Sequence, residues 1–105
     1  MSEQKYNRLK AQYEQTNRER SELLRQIEVA EADLKELAAL MTKHEEKGNR
    51  QAFEDLDNAY QQAYPDYTAM LQQLAALDQE LAEMEPLLKA IEDYVRDTGF
   101  LPGLS

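Results

Sequence analysis

The sequence predicts an all-α fold, a long antiparallel helical hairpin of the coiled-coil kind, and three observations carry that expectation. Seam residues spaced in alternating steps of three and four run from Tyr6 to Val95, and the Gly48-Asn49 pair divides them into two runs. Only three glycines and three prolines interrupt a composition dominated by Ala, Glu, Leu and Gln, all good helix formers. A sustained period of about 3.5 residues sets a narrow apolar stripe along each helix, the pattern of a coiled coil rather than of a globular-domain helix.

The first helix is expected over about residues 3–47. Ser2 is a suitable N-cap, and no Gly or Pro follows until Gly48. Its seam reads Tyr6, Leu9, Tyr13, Thr16, Arg20, Leu23, Ile27, Ala30, Leu34, Leu37, Met41 and His44. A turn at about 48–50 follows: Gly48 fits the left-handed position that ends a helix, and Asn49 fits the N-cap of the next. The second helix, over about 51–97, has the seam Phe53, Leu56, Tyr60, Ala63, Tyr67, Met70, Leu74, Leu77, Leu81, Met84, Leu88, Ile91 and Val95. Folded back on each other, the seams meet in a register in which paired numbers add to roughly 97. Ala30 then lies under Tyr67, and Ala63 across from Leu34, in the small-against-large layers that interdigitating side chains require.

Pro65 and Pro86 fall three heptads apart, both on the outward side of the second arm. An interior proline loses a backbone hydrogen bond and costs about 3 kcal/mol unless the helix bends or restarts. The second arm is therefore expected to be kinked or broken near Pro65 and Pro86. The seam keeps its phase through both, which favours a kink. Residues 1–98 form the hairpin in this reading, and 99–105 an apolar tail in which Phe100, Leu101 and Leu104 follow the helix terminator Gly99. That tail either folds against the open end of the hairpin or docks on a partner.

Charge divides the two arms. The net charge is −9, yet residues 1–50 are neutral overall, whereas 51–88 contain no Lys or Arg and carry Glu54, Asp55, Asp57, Asp66, Asp78, Glu80, Glu83 and Glu85. Such a surface repels phosphate backbones and argues against direct nucleic-acid binding. No apolar run reaches the roughly 18 residues of a membrane span, and the N-terminus lacks the basic-then-apolar order of a signal peptide. No membrane insertion and a cytoplasmic location are the expectations. With no cysteine, thiol catalysis and thiolate metal sites are excluded.

Nothing else points to chemistry. His44 is the sole histidine, and a Glu-x-x-His metal pair would need Glu where Met41 stands. It is expected to be an ordinary exposed residue at the tip. Three glycines provide no phosphate-cradling loop. No catalytic, cofactor or metal residue is assigned, and the chain is expected not to be an enzyme.

Two helices bury little, and the apolar face spreads beyond the seam at Leu24, Ala38, Leu40, Tyr64, Leu71, Leu87 and Tyr94. Association into a homodimeric four-helix bundle is therefore expected. Thr16 and Arg20 fall opposite Leu81 and Leu77, a polar partner for a leucine-rich stretch. Arg20 either covers Leu77 with its methylenes and reaches Asp78 or Glu80, or leaves Leu71, Leu74, Leu77 and Leu81 to receive a helix from another molecule. Tyr60, Tyr64 and Tyr67 form a helical cluster, either core or an aromatic anchor.

The expected function is a non-enzymatic protein–protein interaction module, an adaptor, chaperone or regulator. It would act through Tyr60, Tyr64, Tyr67, Leu71, Leu74, Leu77 and Leu81, with the acids Glu54, Asp55, Asp57, Asp78, Glu80, Glu83 and Glu85 setting partner choice. The alternative is an acidic inhibitor or nucleic-acid mimic that occupies a basic groove. With Glu45, Glu46, Glu54, Asp55 and Asp57 near its tip, the hairpin is similar in outline to the coiled-coil transcription factors that enter the secondary channel of bacterial RNA polymerase. That likeness implies tip acids near a catalytic magnesium; it covers the hairpin alone, and no residue role is carried over.

Overall fold

The computed structural model describes residues 3–99. Two helices joined by a three-residue turn form an all-α helical hairpin, with α1 at Glu3–Glu46 and α2 at Arg50–Thr98. The turn is closed by hydrogen bonds that the sequence dictates. Gly48 takes φ 72°, which frees its N–H to donate to the Glu45 carbonyl at 3.1 Å while the Asn49 N–H donates to the His44 carbonyl at 2.9 Å. That pair of bonds is a Schellman ending. The Asn49 side chain then accepts the Ala52 N–H at 3.3 Å, and its carbonyl accepts the Phe53 N–H at 3.1 Å, so Asn49 is the N-cap of α2. At the far end of α2, Gly99 has φ 81° and donates to the Val95 carbonyl.

The chain forms two compact units, Met1–Ser21 with Ala75–Ser105, and Glu22–Leu74. In the first unit α2 supplies the apolar core, Leu77, Leu81, Met84, Leu88 and Ile91, while the one buried residue of α1 is polar, Thr16. Two bonds join the helices there: the Arg20 guanidinium donates from Nε to Asp78 Oδ1 at 2.5 Å, and the Tyr13 hydroxyl to Glu85 Oε1 at 2.9 Å. One heptad back on α1 is one heptad forward on α2, which fixes an antiparallel pair, and both bonds lie within a residue of the expected register. In the second unit the contribution reverses. Leu23, Ile27 and Leu34 of α1 are buried, whereas Phe53, Leu56, Tyr60, Ala63, Tyr67, Met70 and Leu74 of α2 are only half-buried.

Every seam position named from the sequence is buried or half-buried. At Pro65 and Pro86 α2 is helical through both, so of the two expected outcomes the break does not occur. Each proline leaves unpaired the carbonyl four residues back, on Gln61 and Ala82. Both residues are exposed, so solvent is within reach of the chain where the donor is missing, and the Thr68 hydroxyl donates to the Pro65 carbonyl at 2.9 Å. One correction concerns His44. It is half-buried rather than exposed, and its Nδ1 is buried with no hydrogen-bond partner, because a seam position turns the ring inward whatever its polarity. Ser2 and the tail residues Phe100, Leu101 and Leu104 lie outside the described residues.

Candidate protein-binding surface

The second unit carries a tyrosine ladder on α2. At spacings of four and three, residues 60, 64 and 67 share one side of a helix. The Tyr60 and Tyr64 rings stack with centroids 6.0 Å apart and planes at 15°, and Tyr64 and Tyr67 meet at 6.3 Å and 54°. Tyr67 is anchored: its hydroxyl donates to Glu31 Oε1 on α1 at 2.6 Å. That bond to the Glu31 carboxylate, with some desolvation and the carboxylate's charge, raises the Tyr67 hydroxyl above its ordinary value of 10.0. The three rings line a groove of about 440 Å³ with Glu31, Leu34, Lys35 and Ala38.

Two residues of the expected binding list sit one step outside the seam and face water. Tyr64 is 46% exposed and Leu71 39%; each follows a seam residue, Ala63 and Met70. Tyr60, Tyr67 and Leu74 are half-buried. Leu77 and Leu81, by contrast, are 7% exposed, covered within the first unit, where Arg20 has taken Asp78 as its partner. The structure thus brings Tyr60, Tyr64 and Tyr67 together on one open face and puts Leu77 and Leu81 into the core.

Most of the acids expected to set partner choice are engaged by their own chain. Glu54 pairs with Arg50 at 3.2 Å, Asp55 accepts from Gln51 at 2.9 Å, Asp57 from Gln61, and Glu83 from Gln79 at 3.1 Å. Asp78 and Glu85 receive Arg20 and Tyr13. Glu80 is exposed. These are mainly neutral donors, so the negative charge of the stretch persists.

One exposed apolar residue escaped the sequence reading. Val29 is 58% exposed, beside Ala30 and Met70 in a second groove of the same unit that also holds Glu22, Arg25, Gln26 and Asp33. The Arg25 guanidinium hydrogen-bonds Glu22 and holds that carboxyl below its ordinary value of 4.5. A β-branched residue in an otherwise polar outward row of α1 was the available signal. Among the described residues no cluster of His, Asp and Glu is arranged to hold a metal ion, and no helix is long and apolar enough to cross a membrane. No protein-family model, curated protein or solved structure matches the chain.

Proposed function

We propose that the chain is a non-enzymatic protein–protein interaction module whose contact face lies on the second unit. One observation carries this reading: Tyr64 and Leu71 stand exposed on a face of α2 where Tyr60 stacks on Tyr64 and Glu31 anchors Tyr67. Tyrosines held in fixed rotamers give large contact area at small entropic cost, which is why they concentrate in interface centres. Two helices in contact leave that face dry on one side only, and a covering protein would complete its burial.

The test is capture from lysate of the source cell at low and high salt, with wild type beside Leu71→Glu and Tyr64→Ala. A protein retained through the high-salt wash by wild type and lost with either variant supports an apolar contact; retention by all three sinks it. A second reading, an acidic mimic that enters a basic groove, is favoured by the absence of any Lys or Arg from 51–88. It predicts capture that fails at high salt and with Glu80, Glu83 and Glu85 reversed to Lys, and that is indifferent to Leu71.

A further inference from the structure

We propose that the Val29 groove is a docking site for a basic amphipathic helix of a partner protein. That helix sets a single apolar side chain on Val29 and carries its Lys and Arg residues to one side of that anchor. The site lies on the flank of the second unit opposite the tyrosine ladder and stands independently of the contact proposed at Tyr64 and Leu71.

The floor of the groove is apolar. Val29 is 58% exposed, more than any other large apolar side chain among the described residues. With Ala30 and the half-buried Met70 it lines a groove of about 600 Å³ whose other walls are Glu22, Arg25, Gln26 and Asp33. Two helices side by side leave such a furrow, and a third helix fills it with residues spaced by three, four and seven.

Charge identifies the kind of helix. Arg25 is the one cation lining the groove, and Glu22 holds its guanidinium at 2.5 Å. Beyond that pair the flank is acidic. Asp33 lines the groove itself. Glu36 follows Val29 by one heptad and so shares its row on α1. On α2, Asp66 precedes Met70 by four residues, the spacing of neighbours on one side of a helix. All three acids are exposed, and among the described residues none of them forms an ion pair. Lys43 and Lys47, the bases on the same flank of α1, lie about 20 Å or more beyond Val29 toward the turn. An apolar spot beside three uncompensated carboxylates fits a cationic surface and repels nucleic acid and anionic lipid.

Position then gives the order of the partner's residues. The Tyr67 hydroxyl meets Glu31, and in that register Asp66 stands about level with position 32 of α1. Asp33, Glu36 and Asp66 thus all lie on the turn side of Val29, within about 10 Å along the axis. The other side holds the mutually compensated Glu22 and Arg25. A helix anchored on Val29 therefore needs its cations three to seven residues from the anchor, all in one direction.

The experiment measures fluorescence anisotropy of labelled helical peptides on the whole chain at about 0.15 M NaCl. The first peptide has a single Leu with Lys or Arg three, four and seven positions after it. The second has Ser for that Leu, and the third has the same cations split to both sides. The expected result is that wild type binds the first peptide at least about tenfold more tightly than either other. V29S should lose that preference for Leu over Ser, D33N/D66N should weaken binding by at least about tenfold and flatten its salt dependence, and L71S should bind as wild type does. Equal binding of the first two peptides, V29S that binds as wild type does, or no binding at about 100 μM overturns the proposal. Val29 is exposed, so V29S should fold; if circular dichroism shows that it does not, D33N/D66N and the peptide ranking decide. Loss in L71S rather than in V29S would place the helix on the Tyr64 face, which refutes this site and leaves the interaction reading standing. Wild-type self-association that V29S abolishes would make the occupant a second copy and also refute it. A Val29-dependent peptide beside lysate capture indifferent to Leu71 would keep this site and remove the Tyr64 contact.

Discussion

His44 is the residue most plainly at odds with its place. A seam position buries its Nδ1 without a partner, and an unsatisfied buried polar atom costs about 1–3 kcal/mol. His44→Leu should therefore raise stability by about 1 kcal/mol, which for a chain of this size moves the melting temperature up by about 5 °C. Calorimetry that shows no change or a fall would mean that the ring nitrogen is satisfied in solution. Tyr67 is the opposite case, a polar group whose partner is supplied. Its hydroxyl is held above 10.0 by Glu31, so the folded state binds that proton more tightly than the unfolded chain. The stabilisation is complete below 10.0 and is lost as pH rises through the folded value. A tyrosinate absorbance titration should therefore complete at a lower pH in Glu31→Gln than in wild type, because the substitution removes the carboxylate that holds the Tyr67 proton. Identical titration curves for the two proteins would assign the Tyr67 shift to a cause other than Glu31.

Helix ends and helix seams differ in how far local sequence controls them. The ends are local: Gly48 and Gly99 adopt positive φ, and Asn49 caps α2 through its side chain. Asn49→Ala should cost about 1 kcal/mol and Asn49→Asp almost nothing, as read from the midpoint of urea unfolding; equal midpoints would make the cap redundant. The seams were equally legible, because a period of about 3.5 constrains every inward position at once, and each one is at least half-buried. The same periodicity carried the continuity of α2, since the seam keeps its phase through Pro65 and Pro86. Two things were not legible. The inward tilt of the His44 ring follows the seam and overrides the polarity that suggested exposure. For the candidate surface, sequence spacing grouped Leu77 and Leu81 with Leu71, but a single step of phase separates the core from the exposed row. Arg20 at a seam position made the leucine stretch look uncovered, yet its pairing with Asp78 and the burial of Thr16 close that part of the first unit.

The whole chain is acidic, with a sequence pI of about 4.5, and that sets how any self-association must respond to solution conditions. Repulsion between two chains of charge −9 acts across the full length of each, whereas the attraction proposed at Tyr64 and Leu71 is short-ranged and apolar. Salt weakens the first and leaves the second nearly untouched. The screening length falls from about 30 Å at 0.01 M to about 8 Å at 0.15 M, so over that range the dissociation constant of the homodimer expected from the sequence should fall by a few-fold, opposite in sign to binding held by charge pairs. Approach to pH 4.5 should strengthen association further, as protonated carboxylates lose their mutual repulsion. Sedimentation equilibrium across an NaCl series reads the first effect directly. A dissociation constant that rises with salt would place complementary charges at the contact, which moves it off Tyr64 and Leu71 and onto surfaces where α1 bases meet α2 acids.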